Sequence, residues 1–215
     1  MSGDKAPFGQ GMIRKMFGLD RTGPEPEPTR SGQPLRPFTL PNLVGFIRLL
    51  AIPVFLVIAF NTEDGESWLA AGIFWCISAG DYLDGFLARM TGQYSRLGAL
   101  LDPVVDRLTI LSGASVAWYF ELLPRWLLAL LVLREVLILI LARWGLRHGI
   151  DIEVNWIGRM AVFPVMSALF FAMIWPGWFP TTLLVIGVVM AYVALYLYAR
   201  VGRDQYRAAA DSARP

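Results

Sequence analysis

Residues 81–106, DYLDGFLARMTGQYSRLGALLDPVVD, carry four aspartates in a stretch whose other residues are mostly apolar or small. Asp81 and Asp84 are three residues apart, and Asp102 and Asp106 are four residues apart. On helices, both spacings place the two carboxylates of a pair on one face. A short polar turn separates the pairs, so two antiparallel helices would bring four carboxylates together.

The chain around this stretch has the composition of a membrane protein. Of its 215 residues, 56% are hydrophobic, and the mean hydropathy is +0.51. A bilayer core of about 30 Å requires about 20 apolar residues in a helix. We therefore predict an all-α integral membrane protein with six transmembrane helices. The apolar segments are residues 40–60, 67–89, 97–120, 125–147, 157–175 and 180–200.

Basic residues collect on one side of the predicted spans. They lie in both terminal tails and at the second-to-third and fourth-to-fifth connections. Of the other three connections, one carries acidic residues, one carries one acidic and one basic residue, and one is uncharged. Cytoplasmic loops are enriched in Lys and Arg, so we expect both termini and the aspartate-bearing connection to face the cytoplasm. This predicts a multi-pass protein of the cytoplasmic membrane whose active site faces the cytoplasm.

The membrane domain is predicted to cover residues 39–203, followed by a C-terminal tail, 204–215. The N-terminal cytoplasmic extension, residues 1–38, joins a segment with the pattern of an amphipathic interfacial helix to a Pro-rich linker. A wholly disordered tail fits the same composition. The N-terminus lacks an apolar signal region, so no cleaved signal peptide is expected. The single cysteine, Cys76, cannot form an internal disulfide.

Four carboxylates in a low-dielectric place repel one another unless cations lie among them. Oxygen ligands favour hard divalent ions, so the aspartates predict bound Mg²⁺ or Mn²⁺, and two ions would suit four carboxylates. Mg²⁺ usually keeps positions for water and phosphate oxygens, which indicates a phosphate-bearing substrate. A helix end with solvated acids is the alternative. The ligand prediction comprises Asp81, Asp84, Asp102 and Asp106.

Three small residues, Gly85, Ala88 and Gly98, lie within about one helical turn of an aspartate. They either leave room for a flat group or let two helix backbones approach each other. Arg89 stands five residues after Asp84, close enough to bind a diphosphate that the metal ions also hold.

The stretch of residues 81–106 resembles the signature of the CDP-alcohol phosphatidyltransferase family. The agreement covers every defined position, namely Asp81, Asp84, Gly85, Ala88, Arg89, Gly98, Asp102 and Asp106. The resemblance extends over roughly residues 38–200. It implies a six-helix membrane enzyme, usually a homodimer, that transfers the phosphatidyl group of CDP-diacylglycerol to an alcohol and releases CMP.

The resemblance also implies roles for individual residues. Asp81, Asp84 and Asp102 match residues that hold two divalent ions, and Asp106 matches one that contacts metal and serves as the catalytic base. The positions implied to bind the CDP group are Asp84, Gly85, Ala88, Arg89 and Gly98.

The acceptor alcohol is less well defined. Residues 39–48, 133–135 and 154–159 resemble segments of phosphatidylglycerophosphate synthases, which favours glycerol 3-phosphate. Arginine inside a membrane is costly and often functional. The candidates to hold the acceptor are Arg48, Arg134 and Arg159. A salt bridge between helices is the alternative role for the arginines at 48 and 134.

Other functions share part of this pattern. CMP-forming cardiolipin synthases have almost all of these features with phosphatidylglycerol as acceptor, and Arg107 stands where many glycerophosphate enzymes are expected to have a lysine. Phosphatidylinositol-phosphate synthases are a third alternative. An intramembrane prenyltransferase or a small transporter would leave the glycine and arginine positions of the motif unexplained. Nothing resembles a nucleic-acid module.

Overall fold

The computed structural model describes residues 40–91, 96–147 and 156–212, and these ranges form six α-helices. The helices are α1 (Leu40–Phe60), α2 (Trp68–Thr91), α3 (Arg96–Tyr119), α4 (Arg125–Arg147), α5 (Trp156–Ala172) and α6 (Trp178–Ser212). The all-α prediction is confirmed for the described residues, and the first four helices agree closely with the predicted segments. The predicted interfacial helix and linker of residues 1–38 lie outside the described residues.

The last two helices differ from the predicted segments. α5 ends at Ala172, before Pro176 and Gly177, and the φ of Gly177 is 153°, a value that side chains rarely allow. α6 continues to Ser212, well past the predicted end of the apolar segment. Its final turns contain several Ala and Arg residues, which are good helix formers, so the helix continues beyond the apolar run that hydropathy detects.

Two helices of the described part are long and apolar enough to cross a membrane by length and composition. They contain the segments Asn42–Phe60 and Trp178–Arg207, and shorter apolar helices cover Trp68–Gly80 and Met160–Ala172. The described part of the chain is thus all-helical and contains two helices that could cross a membrane, whereas the six crossings and their orientation stay predictions.

The chain divides into two compact units. The first contains Met1–Leu49 and Ala79–Val105, and the second contains Leu50–Ser78 and Asp106–Pro215. In the described residues, the first unit is made of the start of α1, the end of α2 and the start of α3. The second unit contains the rest of these three helices together with α4, α5 and α6.

Helix packing in the second unit is apolar and close. Its fully buried side chains include Phe55, Phe74, Leu128, Leu131, Leu169, Met173 and Leu184. α5 packs extensively on α6, and a Cβ placed on Gly187 would come 2.6 Å from Cγ2 and 3.0 Å from the backbone nitrogen of Val165. A small residue at such a contact lets two helix backbones approach.

Three connections meet at one end of the second unit. In the α1–α2 connection, Gly65 has φ 80°, and a Cβ there would come 2.5 Å from the Phe120 ring after α3. The amide of Ser67 donates to the carbonyl oxygen of Met173 at 2.8 Å. Residues Glu121–Arg125 and residues of the α5–α6 connection also line one cavity. The helices of this unit therefore alternate in direction, as successive membrane crossings must.

The surface of the second unit suits a lipid environment. Leu50 and Phe163 are among many large apolar side chains that are exposed. Exposed tryptophans cluster at the end where the three connections meet, as in the aromatic belts at membrane boundaries; they are Trp68, Trp118, Trp126, Trp175 and Trp178.

Candidate active site

One turn of α1 contacts both α2 and α3 in the first unit. A Cβ placed on Gly45 would come 2.7 Å from Cδ2 of Leu101 on α3. A Cβ placed on Gly80 of α2 would come 2.7 Å from Cδ and 2.9 Å from Cγ of Arg48. Because residues three apart are neighbours on a helix surface, α2 and α3 meet α1 on adjoining faces.

The contacting residues directly precede two predicted metal ligands. Gly80 comes before Asp81, and Leu101 comes before Asp102. The same turn of α1 therefore contacts α2 and α3 directly before one aspartate of each pair.

The α2 half of the motif is described through its backbone. α2 is helical through Thr91, so Asp81 and Asp84 keep the helical spacing on which the prediction depends. The side chains of both aspartates lie outside the described residues, as do those of Ala88 and Arg89. The contacts of these four residues with metal or CDP are therefore still predictions, and so is the contact of Gly85 with CDP.

The α3 half of the motif is described with its side chains. Asp102 and Asp106 are both half-buried, and both take part in interactions. Gly98 lies one turn before Asp102 and is half-buried too. Pro103 lies inside α3 directly after Asp102, where it removes one backbone N–H from the helix. Two carboxylates at the i, i+4 spacing on one helix are oxygen donors that fit a hard divalent ion.

No group of three or more His, Cys, Asp or Glu side chains that could hold a metal occurs among the residues whose side chains are described. Two of the four predicted ligands, Asp81 and Asp84, lie outside that set. The donor chemistry of the motif nevertheless fits Mg²⁺ or Mn²⁺, since every predicted ligand is a carboxylate.

Arg48 is a predicted acceptor residue, and it is buried in the first unit, with only 3% of its surface exposed. It takes part in interactions and lies against Gly80. A buried arginine is costly unless it is paired or hydrogen-bonded. Glycine at position 80 leaves the space that this side chain occupies next to the acidic segment of α2.

Glu135 on α4 joins two arginines in the second unit. Nη1 of Arg134 donates to Oε1 of Glu135 at 2.5 Å, and Nε of Arg107 lies 3.9 Å from Oε2 of the same carboxylate. The side chains of Arg134 and Glu135 are about nine-tenths buried. Arg107 directly follows Asp106, the predicted base, so α3 connects this ion cluster to the aspartate motif.

Arg134 pairs with Glu135 within α4, whereas the contact between helices joins Glu135 to Arg107, and part of the Arg134 guanidinium is left for another group. Nε of Arg134 is buried and makes no hydrogen bond within the described part of the chain. Glu135 and Arg107 are not among the residues predicted to form the site. A glutamate inside an apolar segment is as costly as an arginine, and this is the signal that could have identified Glu135.

A small cavity lies beside Arg134. Its volume is about 10 Å³, and its lining includes Glu135 and Gly158. Gly158 directly precedes Arg159, so the cavity adjoins the backbone of another predicted acceptor residue whose side chain lies outside the described residues. A space of this size holds about one water molecule, so an acceptor must widen it or approach Arg134 from elsewhere.

The fold and the motif define an all-helical membrane protein with a carboxylate-rich segment of the kind that handles phosphate esters. The chain belongs to the CDP-alcohol phosphatidyltransferase family, whose pattern matches residues 38–197. It is therefore a phosphatidyltransferase of phospholipid metabolism, and the resemblance seen in the motif is confirmed. Membership of this family also excludes the prenyltransferase and transporter alternatives.

Relatives with two different names match the chain. The chain is 39% identical over 138 residues to "Cardiolipin synthase (CMP-forming)" of Streptomyces coelicolor, a match that covers 62% of this chain and 64% of that protein. It is 32% identical over 170 residues to "CDP-diacylglycerol--glycerol-3-phosphate 3-phosphatidyltransferase" of Escherichia coli strain K12, covering 76% of this chain and 88% of that protein. A further relative with the latter name, from Shigella flexneri, is 30% identical over 167 residues.

Proposed function

We propose that this protein transfers the phosphatidyl group of CDP-diacylglycerol to glycerol 3-phosphate, giving phosphatidylglycerophosphate and CMP. The observation that carries the proposal is the turn of α1 that contacts Gly80 and Leu101, the residues before Asp81 and Asp102. The family assignment supports the reaction class. The relative from Escherichia coli, matched over 88% of its length, supports this acceptor.

In the proposed site, two divalent ions are held by Asp81, Asp84, Asp102 and Asp106. When bound, such ions neutralise the charge that develops on the diphosphate and on the leaving CMP. Asp106 accepts the proton of the acceptor hydroxyl as its oxygen attacks the lipid-bearing phosphorus. The bond between that phosphorus and the bridging oxygen breaks, and CMP leaves with the electron pair.

The other motif residues bind the two substrates in this proposal. Small residues at positions 85, 88 and 98 leave room for the cytidine, and Arg89 binds the diphosphate. Arg134 offers its buried Nε to the acceptor phosphate, with Arg48 and Arg159 as further donors. Glu135 holds the Arg134 guanidinium in place through its other nitrogen.

We further propose six membrane crossings with both termini in the cytoplasm, and a homodimer as in the family. The connection between α1 and α2 is one of the three that meet at one end of the second unit, and it carries Glu63, Asp64 and Glu66. The opposite ends of α4 and α6 carry arginines. By the positive-inside bias, the arginine-bearing end faces the cytoplasm, together with the acidic segments of α2 and α3.

The test is an acceptor screen with the purified full-length protein in detergent. CMP release from CDP-diacylglycerol and Mg²⁺ is measured with glycerol 3-phosphate, phosphatidylglycerol, inositol phosphate or serine, each with and without EDTA. We expect EDTA-sensitive CMP release with glycerol 3-phosphate and formation of phosphatidylglycerophosphate. Absence of CMP release with every acceptor would overturn the proposal.

A second candidate is cardiolipin synthesis from phosphatidylglycerol. Two observations favour it: the 39% identity to the Streptomyces relative, and Arg107 where a lysine is expected for many glycerophosphate enzymes. CMP release with phosphatidylglycerol but not with glycerol 3-phosphate, together with cardiolipin as product, would assign this function instead. Activity with inositol phosphate alone would assign the third alternative.

A further inference from the structure

α4 and α6 keep a constant register along the second unit. The hydroxyl of Tyr192 donates to the carbonyl oxygen of Leu130 at 3.0 Å, and the ring centroids of Trp144 and Tyr206 lie 5.5 Å apart. Both pairs have the same separation in sequence, 62 residues. The second pair lies about 21 Å further along the two helices than the first. The helices therefore run side by side in the same direction, and the aromatic pair holds their ends together.

Arginines surround this aromatic pair. On α4 and α6 they are Arg143, Arg147, Arg203 and Arg207, and all four are exposed. The constant register puts these residues of both helices at similar levels. Arg143 and Arg147 are four residues apart on α4, and Arg203 and Arg207 are four apart on α6, so each pair lies on one helix face. We call these four residues the α4–α6 arginine cluster.

The cluster carries an excess of positive charge. At this end of the described helices, Arg200 pairs with Asp204 at 4.0 Å, and both side chains are exposed. Among the described residues, none of the four cluster arginines lies within ion-pair distance of a carboxylate. The four arginines outnumber Asp204 and Asp211, the two aspartates on the final turns of α6, so this end of the two helices carries a net positive charge.

The depth of the cluster corresponds to lipid headgroups. α6 begins at the exposed Trp178, at the opposite end of the unit. Along a helix, Arg203 lies about 37 Å and Arg207 about 43 Å from that residue. A bilayer is about 40–45 Å thick with its headgroup layers, of which about 30 Å is hydrocarbon. The arginines thus reach the polar layer of the far leaflet.

We propose that the α4–α6 arginine cluster binds the headgroup of an anionic phospholipid. Guanidinium groups bind phosphate oxygens through two parallel hydrogen bonds, and the Trp144–Tyr206 pair offers an apolar wall to the glycerol region. Groups of four or more basic residues next to a membrane span are typical of binding to anionic lipids. A zwitterionic lipid is disfavoured because its ammonium group is repelled. The cluster contains no residue of the proposed catalytic site.

The test uses native mass spectrometry of the purified full-length protein in detergent, titrated with phosphatidylserine or with phosphatidylcholine. Neither lipid is donor, acceptor or product in the proposed reaction. We expect at least about tenfold tighter binding of phosphatidylserine. In the Arg143→Gln, Arg207→Gln double variant we expect about 25-fold weaker binding, since each arginine near an anionic headgroup strengthens binding about fivefold. The double lysine variant is expected to keep most of the affinity.

Matched controls separate this site from ordinary surface charge and from the active site. Arg125→Gln changes an exposed arginine at the other end of α4, where Glu121 pairs with it at 2.8 Å, and should leave lipid binding unchanged. Asp106→Asn should also leave it unchanged, which keeps the outcome independent of the proposed reaction. Equal binding of both lipids by the wild type would overturn the proposal. So would wild-type affinity of the double glutamine variant, or displacement of the lipid by inorganic phosphate alone.

Discussion

The two units of the molecule differ in what fills the space between their helices. In the described part of the first unit, two of the few buried side chains are polar, those of Asn42 and Arg48. In the second unit, large apolar side chains such as Phe55, Phe74 and Leu128 fill the interior. The first unit also carries three of the four predicted metal ligands. We therefore expect the first unit to contain most of the reaction site and the second unit to contribute mainly to stability.

The ion cluster of Glu135 is the exception to this division. It is buried in the apolar second unit, where an ion pair is costly and brings little net stability. Its partner Arg107 directly follows Asp106, the fourth predicted ligand. We therefore expect the ion cluster to contribute to the reaction rather than to the stability of the fold. Four variants test this difference in role between the two units.

Asp106→Asn should have the largest effect on turnover. The variant keeps the size of the side chain but removes the proposed base, so CMP release should fall by about 10³-fold or more. Binding of CDP-diacylglycerol, measured by equilibrium titration, should stay largely intact because three other carboxylates are still present. Asp204→Asn, an exposed aspartate on α6, is the matched control and should behave as wild type. Wild-type-like CMP release from the Asp106 variant would refute the base assignment.

Glu135→Gln should have the next largest effect. Loss of the carboxylate charge leaves Arg134 buried beside Arg107 without its acidic partner, so the guanidinium that is proposed to hold the acceptor moves. We expect a loss of about 10- to 100-fold in kcat/KM for the acceptor, and a much smaller change in KM for CDP-diacylglycerol.

Controls for this variant distinguish positioning from folding. Glu135→Asp should recover part of the loss, and Glu121→Gln, which changes an exposed glutamate, should have no effect on either constant. A purely structural role predicts instead a lower melting temperature with unchanged kinetic constants for the folded fraction. That outcome would show that the ion cluster contributes to stability and not to the reaction.

Gly80→Ala should reduce turnover by about tenfold, since small displacements at a reacting site have large kinetic effects. The new methyl group would lie 2.7 Å from Cδ of Arg48, a side chain with almost no exposed surface into which to move. Gly72→Ala on the same helix is the matched control, because nothing lies within 4 Å of a Cβ there. Equal activity of both variants would show that the space beside Arg48 is dispensable.

A double-mutant cycle sharpens this result. Arg48→Ala removes the side chain that the new methyl group meets, so the two changes should not add when they are combined. Additive losses would mean that the glycine acts through some other contact.

Hydropathy and local spacing account for the parts of this molecule that could be predicted. Apolar runs of about 20 residues, the length that a membrane crossing requires, locate α1 to α4. The end of α6 at Ser212 is missed, since a helix that leaves the apolar layer continues by propensity alone. The two aspartate pairs could be recognised in the sequence because residues three or four apart lie on one face of a helix.

Contacts between helices could not be predicted in the same way. Arg107 and Glu135 are 28 residues apart, and neither residue type nor periodicity reveals that they meet. The contact of Arg48 with Gly80 is likewise non-local. Such pairs depend on how helices are rotated and how closely they approach, which depends on many small packing choices at once.

Leu128→Ala should have the smallest effect on turnover and the clearest effect on stability. Leu128 is fully buried in the second unit, and its truncation leaves a cavity. Loss of such a side chain costs about 2–5 kcal/mol, and we expect the lower end, because in a membrane the unfolded helices stay in lipid and only packing is lost. Leu133→Ala on the same helix is the control, since that side chain is about half exposed. If the second unit only stabilises the protein, the melting temperature should fall. CMP release per folded molecule should stay within about twofold of wild type. If instead turnover fell as far as in Gly80→Ala with no change in melting temperature, the apolar unit would itself be part of the catalytic apparatus.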